Sequence, residues 1–302
     1  MTVRKLKELY DLNLNNKLKT LIVVCANDEH TISAVSQAVL QNIVSGILIG
    51  DASKILSVCN ESGIEISKLR IINQPSEELA ARLAVEMINR GEGDIIMKGL
   101  ISTDKFMKAI LNKEKGLTDQ GKLVSHVTII ENSNYHKLLI VGDVAVIPLP
   151  DLNQKVQIIK YLVEVANRLG IIKPKVAAIA PSEQVLPSLI STTDAALLSK
   201  MNERGQISGC IVDGPLALDV AIDSEAAAIK GLISPVAGDA DCLLFPNLES
   251  GNVFYKVNTK LALSESAAIM VGARVPVVLA SRGDSNTTKL FSIALGAVMA
   301  HD

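Results

Sequence analysis

Short apolar runs rich in β-branched residues alternate along the chain with longer amphipathic segments. In the first third, the helix predicted after Asn27-Asp28 starts at capping residues, and another runs from Ser76 to Arg90, where Gly91 stops it. Strands are predicted between these helices at residues 21–25, 46–49, 69–72 and 94–97. This alternation predicts an α/β protein with mainly parallel sheets covered by helices.

The pattern changes near Leu123, where we predict a domain boundary. Three apolar runs at residues 126–130, 137–141 and 144–147 follow one another with short polar breaks, which predicts a small antiparallel group before a long helix at 153–169. Further alternation then predicts strands at 176–180, 209–212, 240–245, 267–271 and 277–280, and a helix around 193–204.

The last predicted helix, residues 287–300, is apolar on nearly all sides. Such a helix is buried, either against the sheet of the first half or at a subunit contact.

Composition excludes several classes of protein. A chain of 302 residues with 48% hydrophobic residues has enough apolar surface for one large or two smaller domains and is not disordered. A net charge of −2 and 3% aromatic residues argue against binding to nucleic acid or to an anionic membrane. The chain has no signal-peptide pattern and no uninterrupted membrane-spanning stretch, so we expect a cytoplasmic protein. Its four widely spaced cysteines indicate reduced core thiols.

Motifs for dinucleotide binding, P-loop phosphoryl transfer and zinc hydrolysis are absent from the sequence, which points instead to the turns that follow the strands. The most suggestive turn contains Ser281, Arg282 and Asp284 ahead of a helix capped by Ser285 or Asn286. Arginine beside a helix N-terminus suits a phosphate or a developing oxyanion. The alternative is a surface turn in which Arg282 and Asp284 pair.

A second turn places Lys98 and Gly99 after a strand and before Ser102 and Thr103. It could bind phosphate. The alternative is that Ser102 or Thr103 is an ordinary N-cap and that Lys98 is solvated.

Four further polar residues lie in apolar surroundings. Asp213 and Asn252 follow strands and could line a cleft, although each is more often a turn residue. Asp143 could have a perturbed pKa, but a structural hydrogen bond to backbone is the favoured explanation. His126 is more often a satisfied core histidine than a base.

Together these stretches resemble the phosphate acetyl/butyryltransferase family, and more closely its butyryl-transferring members. The matching segments run through essentially the whole chain: residues 97–100, 124–127, 197–201, 204–207, 212–219, 246–252 with Tyr255-Lys256, and 276–285.

The resemblance implies two α/β domains with mainly parallel sheets and an interdomain cleft, like the isopropylmalate dehydrogenases. The first domain would comprise residues 1–123 plus 281–302, and the second residues 124–280. It also implies a homodimer or larger homo-oligomer. The reaction implied is acyl-CoA plus phosphate giving acyl phosphate plus CoA, reversibly, with CoA as a substrate and with no cofactor, metal or covalent intermediate. The acyl group implied is a short one such as butyryl, and a kinase that uses the acyl phosphate is an implied functional link.

By the same resemblance, Ser281 would hydrogen-bond the carbonyl oxygen or the sulfur, and Arg282 would hold the phosphate. A carboxylate would take the CoA thiol proton. Acetyl-transferring relatives carry that Asp where this chain has Thr288, and many butyryl-type members have Glu where it has Thr287. Asp284 is the nearest carboxylate and our candidate base, with Asp213 or simple thiol ionisation left open.

Lys98, Ser102 and Thr103 are further candidates for phosphate binding, and Asp213 and Asn252 are candidates for lining the substrate site. Two other functions remain open. One is a non-catalytic acyl-CoA or phosphate sensor, because Thr287 and Thr288 replace the acids. The other is a metal-dependent dehydrogenase of the same architecture, which would need an Asp cluster on one helix that the sequence does not contain.

Overall fold

The computed structural model describes residues 2–14, 17–279 and 283–301. The chain divides into two compact units. The first, which we call the N-terminal unit, is Leu6–Val124 with Ala267–Asp302, and the second, the central unit, is Met1–Lys5 with Ser125–Ser266. The domain limits of 123/124 and 280/281 stay a prediction; the compact units differ from them chiefly by grouping residues 267–280 with the N-terminal unit.

The N-terminal unit alternates strands and helices as predicted. Its sheet has the order β3-β2-β1-β4-β11-β10, and all neighbours in it are parallel except the antiparallel pair β10 and β11. The elements are α1 (Glu8–Leu14), β1 (Lys19–Val24), α2 (Glu29–Leu40), β2 (Val44–Gly50), α3 (Ala52–Glu61), β3 (Leu69–Asn73), α4 (Glu77–Asn89), β4 (Ile95–Lys98), α5 (Thr103–Ile110), β10 (Glu265–Val271), β11 (Val277–Val278) and α11 (Asn286–Met299).

The apolar C-terminal helix α11 lies in the core of the N-terminal unit, which decides between the two predicted places for it. Its residues from Lys289 to Met299 are buried. Gly296 lies so close to the sheet that a Cβ there would be 3.2 Å from a methyl carbon of Ile95. Asn13 donates to the carbonyl of Ala294, at 3.1 Å, and thereby fixes α1 against the same helix.

The central unit has its own sheet, with the order β5-β6-β9-β7-β8. Its first two strands are antiparallel and the others parallel. The elements are β5 (Ser125–Glu131), β6 (Leu139–Gly142), α6 (Leu152–Arg168), β7 (Lys175–Ile179), α7 (Ile190–Glu203), β8 (Ile211–Leu216), α8 (Leu218–Ile222), α9 (Ser224–Ile229), β9 (Cys242–Leu244), α10 (Leu248–Lys256) and a π-helix (Val257–Leu261).

One predicted strand of the antiparallel group is wrong. Residues 144–146 form bends, and Ile147 is irregular, so the run is not a strand. The physical reason is Asp143, whose carboxylate accepts hydrogen bonds from the backbone N–H groups of Ala145 and Val146, both at 2.7 Å. These two bonds turn the chain away from the sheet, although the run has strand-like composition.

Candidate functional site

Lys98 is the last residue of β4, at the carboxyl edge of the N-terminal sheet, and its side chain is buried. Its ammonium group donates to the carbonyl oxygens of Gly99, at 3.1 Å, and Ile101, at 3.0 Å. The alternative of a solvated Lys98 is therefore wrong. A buried cation is costly unless hydrogen bonds compensate it, so this charge is held at a defined place rather than left free on the surface.

Gly99 allows a close backbone approach beside this lysine. Its N–H donates to the carbonyl of Val24 at 2.8 Å, and a Cβ at position 99 would lie 2.4 Å from the carbonyl oxygen of Cys25. Only glycine fits there without a backbone shift. Burial, and secondarily the Glu77 carboxylate, raise the pKa of the Cys25 thiol to about 11.

The turn that follows Lys98 leads directly into α5. Ser102 is the N-cap of this helix, and its hydroxyl accepts from the backbone N–H of Lys105 at 3.4 Å. Thr103 is the first helical residue and is exposed. The N-cap role of Ser102 is thus confirmed, while a phosphate-binding role for Ser102 or Thr103 stays a prediction.

The second candidate turn leads from β11 into α11. Ser281 and Arg282 lie outside the described residues. Asp284 is half-buried and comes just before Ser285, which caps α11 by accepting from the N–H of Thr288 at 3.1 Å. Because β11 pairs with β4 in parallel, the turns after the two strands lie at the same edge of the sheet. Lys98 and Asp284 are therefore candidates for one site.

In the central unit, Asp143 is buried and its carboxylate accepts four hydrogen bonds. Besides the two turn bonds, it accepts from the Ser125 hydroxyl at 2.8 Å and from the backbone N–H of His126 at 2.9 Å. The favoured explanation, hydrogen bonding to backbone, is confirmed. His126 is also buried, with Nδ1 3.2 Å from the Thr128 hydroxyl, as expected of a core histidine.

Asn252 lies in α10 and is tied to the loop that Asp143 shapes. Its side-chain N–H donates to the carbonyl of Val144 at 3.0 Å. The neighbouring Gly251 approaches so closely that a Cβ there would be 2.5 Å from the carbonyl oxygen of Asp143. Asn252 therefore holds the end of β6 against α10 in this structure.

Asp213 was expected in a turn after a strand, and that expectation is wrong because β8 continues through it to Leu216. Its carboxylate is half-buried and accepts from the backbone N–H of Gly214 at 2.8 Å and from the Ser199 hydroxyl at 3.4 Å. The Gly214-Pro215 dipeptide is typical of a turn, and here it lies within a strand pair whose register shifts.

The sequence interpretation missed one buried ion pair in the central unit. Lys155 of α6 is buried and lies 2.6 Å from the carboxylate of Asp194 in α7. A signal was available, because Lys155 lies on the same helical stripe as the buried Ile158, Ile159 and Leu162. A lysine on such a stripe needs a partner in the interior.

The described residues give three further facts. Within 2–14, 17–279 and 283–301, no three His, Cys, Asp or Glu side chains are grouped so as to hold a metal ion. No helix in these ranges is both long enough and apolar enough to cross a membrane. The four cysteines are free and buried, as predicted.

Comparison with known proteins identifies relatives over the full length of the chain. The chain is 45% identical over 286 residues to a phosphate butyryltransferase of Clostridium acetobutylicum, covering 95% of each chain. It is 44% identical over 300 residues to a phosphate acetyltransferase of Thermotoga maritima, covering 99% of this chain and 100% of the relative.

A solved structure and a family profile agree with these relatives. The crystal structure of a branched-chain phosphotransacylase from Enterococcus faecalis V583 is similar, with a TM-score of 0.81 and 28% identity over 94% of this chain and all of that one. The family described as phosphate acetyl/butaryl transferase matches residues 76–297. With this match and relatives above 40% identity, the chain belongs to the phosphate acetyl/butyryltransferase family.

Proposed function

We propose that this protein catalyses the reversible transfer of a short acyl group between CoA and inorganic phosphate, with butyryl-CoA as the preferred thioester. In one direction an oxygen of phosphate attacks the thioester carbonyl carbon, the C–O bond forms, the C–S bond breaks, and CoA leaves as a thiolate that takes up a proton. The reverse reaction forms the thioester and releases phosphate.

The observation that carries this proposal is the 45% identity with a phosphate butyryltransferase over 95% of both chains. A phosphate acetyltransferase relative is almost as similar, at 44% identity, so the preference for a butyryl over an acetyl group is a separate step of the proposal. One methylene group of the acyl chain is worth only about 1–3 kcal/mol in an apolar pocket, so a few substitutions in the pocket can change which acyl chain is preferred.

Asp284 is our candidate for the base that takes the CoA thiol proton. It is half-buried and sits next to the N-terminus of α11, where free backbone N–H groups favour negative charge. The positions where relatives carry acids hold Thr287 and Thr288, which cannot accept that proton at neutral pH. Ser281 would hydrogen-bond the carbonyl oxygen or sulfur, and Arg282 would hold the phosphate and offset developing charge.

Lys98 is the candidate that the geometry favours most for phosphate. Its charge is buried at the edge where Asp284 also lies, and a buried cation attracts an anion more strongly than a solvated one. Ser102 and Thr103 add a hydroxyl pair and the N-terminus of α5 beside it. Asp213 and Asn252 stay as candidate substrate-site residues of the central unit.

CoA enters as a substrate, and the chemistry needs no added cofactor. We propose a homodimer or larger homo-oligomer in the cytoplasm and a functional link to an acylate kinase that consumes the acyl phosphate. Neither nucleic acid nor membrane is a proposed partner.

The test is thiol release, followed with a disulfide dye, from acetyl-, propionyl-, butyryl- and isobutyryl-CoA with and without phosphate. We expect phosphate-dependent release that is fastest with a four-carbon chain. No release from any thioester, together with measurable CoA binding, would replace the proposal by a sensor function.

Variants assign the roles in the same assay. Arg282→Ala is expected to lower kcat by about 10²–10³-fold, as for loss of an oxyanion donor. Asp284→Asn is expected to lower it by about 10²-fold or more, as for loss of a general base. Arg204→Ala and Asp119→Asn, at exposed positions, are the matched controls. An active Asp284→Asn enzyme would remove Asp284 as the base.

A further inference from the structure

A cavity of about 300 Å³ lies at the amino edge of the N-terminal sheet, where α4 ends and where β4 and β11 begin. Asp94 comes just before β4, and Arg274 lies on the loop before β11. Because a parallel strand rises about 3.3 Å per residue, Asp94 is about 13 Å from Lys98 at the other end of β4. The cavity is therefore separate from the phosphate site that we propose beside Lys98.

Arg274 supplies a positive charge to the wall of this cavity. Its backbone N–H donates to the carbonyl of Leu117 at 2.8 Å, and its guanidinium group donates to the carbonyl of Gly116. These two bonds orient the residue before a ligand arrives, so less conformational freedom is lost on binding. The guanidinium group has more N–H groups than this one bond uses, and their planar arrangement matches the two oxygens of a carboxylate.

Asp94 supplies a negative charge to the same wall. One of its carboxylate oxygens accepts from the backbone N–H of Thr20 at 2.7 Å, which fixes the side chain beside the first residues of β1. Its other oxygen accepts no hydrogen bond from residues 2–14, 17–279 and 283–301. That oxygen can therefore accept a hydrogen bond from a ligand.

Arg274 and Asp94 line one cavity without forming an ion pair. On the turn at the end of α4, Arg90 and Glu92 pair with each other at 2.6 Å. By contrast, in the part of the chain that the structure describes, no oppositely charged side chain lies within ion-pairing distance of Arg274 or Asp94. Two opposite charges that line the same cavity and do not meet are complementary to a ligand that carries both charges.

The rest of the wall offers an apolar contact. Ile88, Val275 and Pro276 line it, and no atom lies within 4 Å of a Cβ built on Gly91, which leaves open space beside this turn. His301 completes the wall. The volume is at the lower end of the range of about 300–1,000 Å³ typical of ligand pockets, so the cavity suits a small molecule.

We propose that this cavity binds an α-amino acid with an apolar side chain. The carboxylate of the ligand accepts charge-assisted hydrogen bonds from Arg274, and its ammonium group donates to Asp94. Its side chain contacts Ile88, Val275 and Pro276, so that apolar surface of the ligand and of the protein is removed from water. Because this binding needs no acyl transfer, the inference does not depend on the proposed function.

Isothermal titration of the whole protein tests the inference with L-leucine and two analogues that each lack one charge. The amine 3-methylbutylamine lacks the carboxylate, and 4-methylpentanoate lacks the ammonium group. We expect the wild type to bind L-leucine about tenfold or more tightly than either analogue, because each loses one charge-assisted contact. Glycine, which has no apolar side chain, is also expected to bind more weakly than L-leucine.

Two variants assign the charges. Arg274→Gln is expected to remove the preference for L-leucine over 3-methylbutylamine, and Asp94→Asn the preference over 4-methylpentanoate. The amide oxygen introduced by Asp94→Asn can still accept from Thr20. Arg90→Gln and Glu92→Gln lie on the same stretch of chain but outside the cavity wall, so these matched controls should keep both preferences.

Other results would overturn the inference. If the wild type binds no L-leucine at about 10 mM, the cavity does not take an amino acid. Equal affinity for L-leucine and 4-methylpentanoate would make it a carboxylate site, and equal affinity for 3-methylbutylamine an amine site. Competitive displacement of L-leucine by CoA or by inorganic phosphate would place the binding at the substrate site instead.

Thermal unfolding without ligand identifies any variant that is misfolded. If Arg274→Gln is misfolded, Arg274→Lys replaces it, because lysine keeps the charge and can still donate to the carbonyl of Gly116. Lysine lacks the planar fork that matches a carboxylate, so we expect Arg274→Lys to bind L-leucine more weakly than the wild type does. Unchanged affinity in both Arg274→Lys and Asp94→Asn would show that L-leucine binds elsewhere.

Discussion

Replacing Asp143 by alanine removes the carboxylate that joins β5 to the loop after β6. Four donors lose their acceptor, but they differ in their access to water. Ala145 is exposed and Val146 half-buried, so their N–H groups regain hydrogen bonds to solvent. Ser125 and His126 are buried, so the Ser125 hydroxyl and the His126 backbone N–H do not.

Each buried donor left unsatisfied costs about 1–3 kcal/mol. The Ser125 hydroxyl can rotate toward another acceptor, and the carboxylate no longer has to be desolvated, so both effects reduce the sum. We expect Asp143→Ala to lower the free energy of unfolding by about 3 kcal/mol. Asp143→Asn keeps one acceptor oxygen, but its amide N–H groups face the other pair of N–H or O–H donors, so we expect it to cost about 2 kcal/mol.

The assay is urea unfolding at 25 °C followed by far-UV circular dichroism. The matched control is Asp51→Ala, since Asp51 accepts two comparable turn bonds, from Ser53 and Lys54, at the N-cap of α3 and without buried donors. Loss of such a cap costs about 1 kcal/mol. If Asp143→Ala is no more destabilising than Asp51→Ala, the bonds from the two buried donors, the Ser125 hydroxyl and the His126 N–H, do not stabilise the fold more than an exposed helix cap does.

Three further substitutions change a buried charge, a close backbone approach and an ion-paired carboxylate. Lys98→Met keeps the volume but removes the buried charge, so the KM for phosphate should rise about tenfold or more in the thiol-release assay, and an unchanged KM would exclude Lys98 from the phosphate site. Gly99→Ala places a Cβ 2.4 Å from the carbonyl oxygen of Cys25, so the melting temperature should fall and kcat with it; a fully stable variant would show that the backbone yields easily. Partial burial opposes ionisation of Asp239, but hydrogen bonds from Lys137, Lys175 and His136 outweigh it and hold the pKa of this carboxyl well below its ordinary value. The stability that ionised Asp239 contributes is present above about pH 4 and is lost as the pH falls further, so the difference in urea midpoint between wild type and Asp239→Asn should shrink between pH 5 and pH 3.

The parallel sheets were predictable because their buried strands are continuous β-branched runs with capped helices between them. Residues 144–147 have the same composition as a strand, and only the position of the Asp143 carboxylate after folding decides against one. The structure around Asp213 also depends on a contact that forms only on folding. The Gly214-Pro215 pair predicts a turn, but pairing with the neighbouring strand β7 keeps these residues in β8.

The candidate site was predictable in its residue types but not in its electrostatics. Lys98 follows an apolar strand, yet its burial depends on the carbonyls of Gly99 and Ile101 turning toward it. A cavity of about 260 Å³ that Arg82, Lys108 and Lys115 help to line likewise combines residues of two helices and a loop, and no spacing along the chain marks it. Such a surface exists only once α4 and α5 pack together.

The charges at the carboxyl edge of the N-terminal sheet also affect whether the acyl group can pass through the Cys25 sulfur or moves directly between CoA and phosphate. Lys98 and Lys105 both act to lower the pKa of the Cys25 thiol, as cations do for reactive cysteines, but burial and Glu77 outweigh them and leave it at about 11. At neutral pH only about one molecule in ten thousand would carry the thiolate at a pKa of that size. An acyl-cysteine intermediate through Cys25 would therefore begin from a rare ionised form of a buried side chain. At the phosphate site that we propose beside Lys98, the same cations would stabilise the charge of phosphate, or of the thiolate of CoA, and would thereby favour direct transfer between the two substrates.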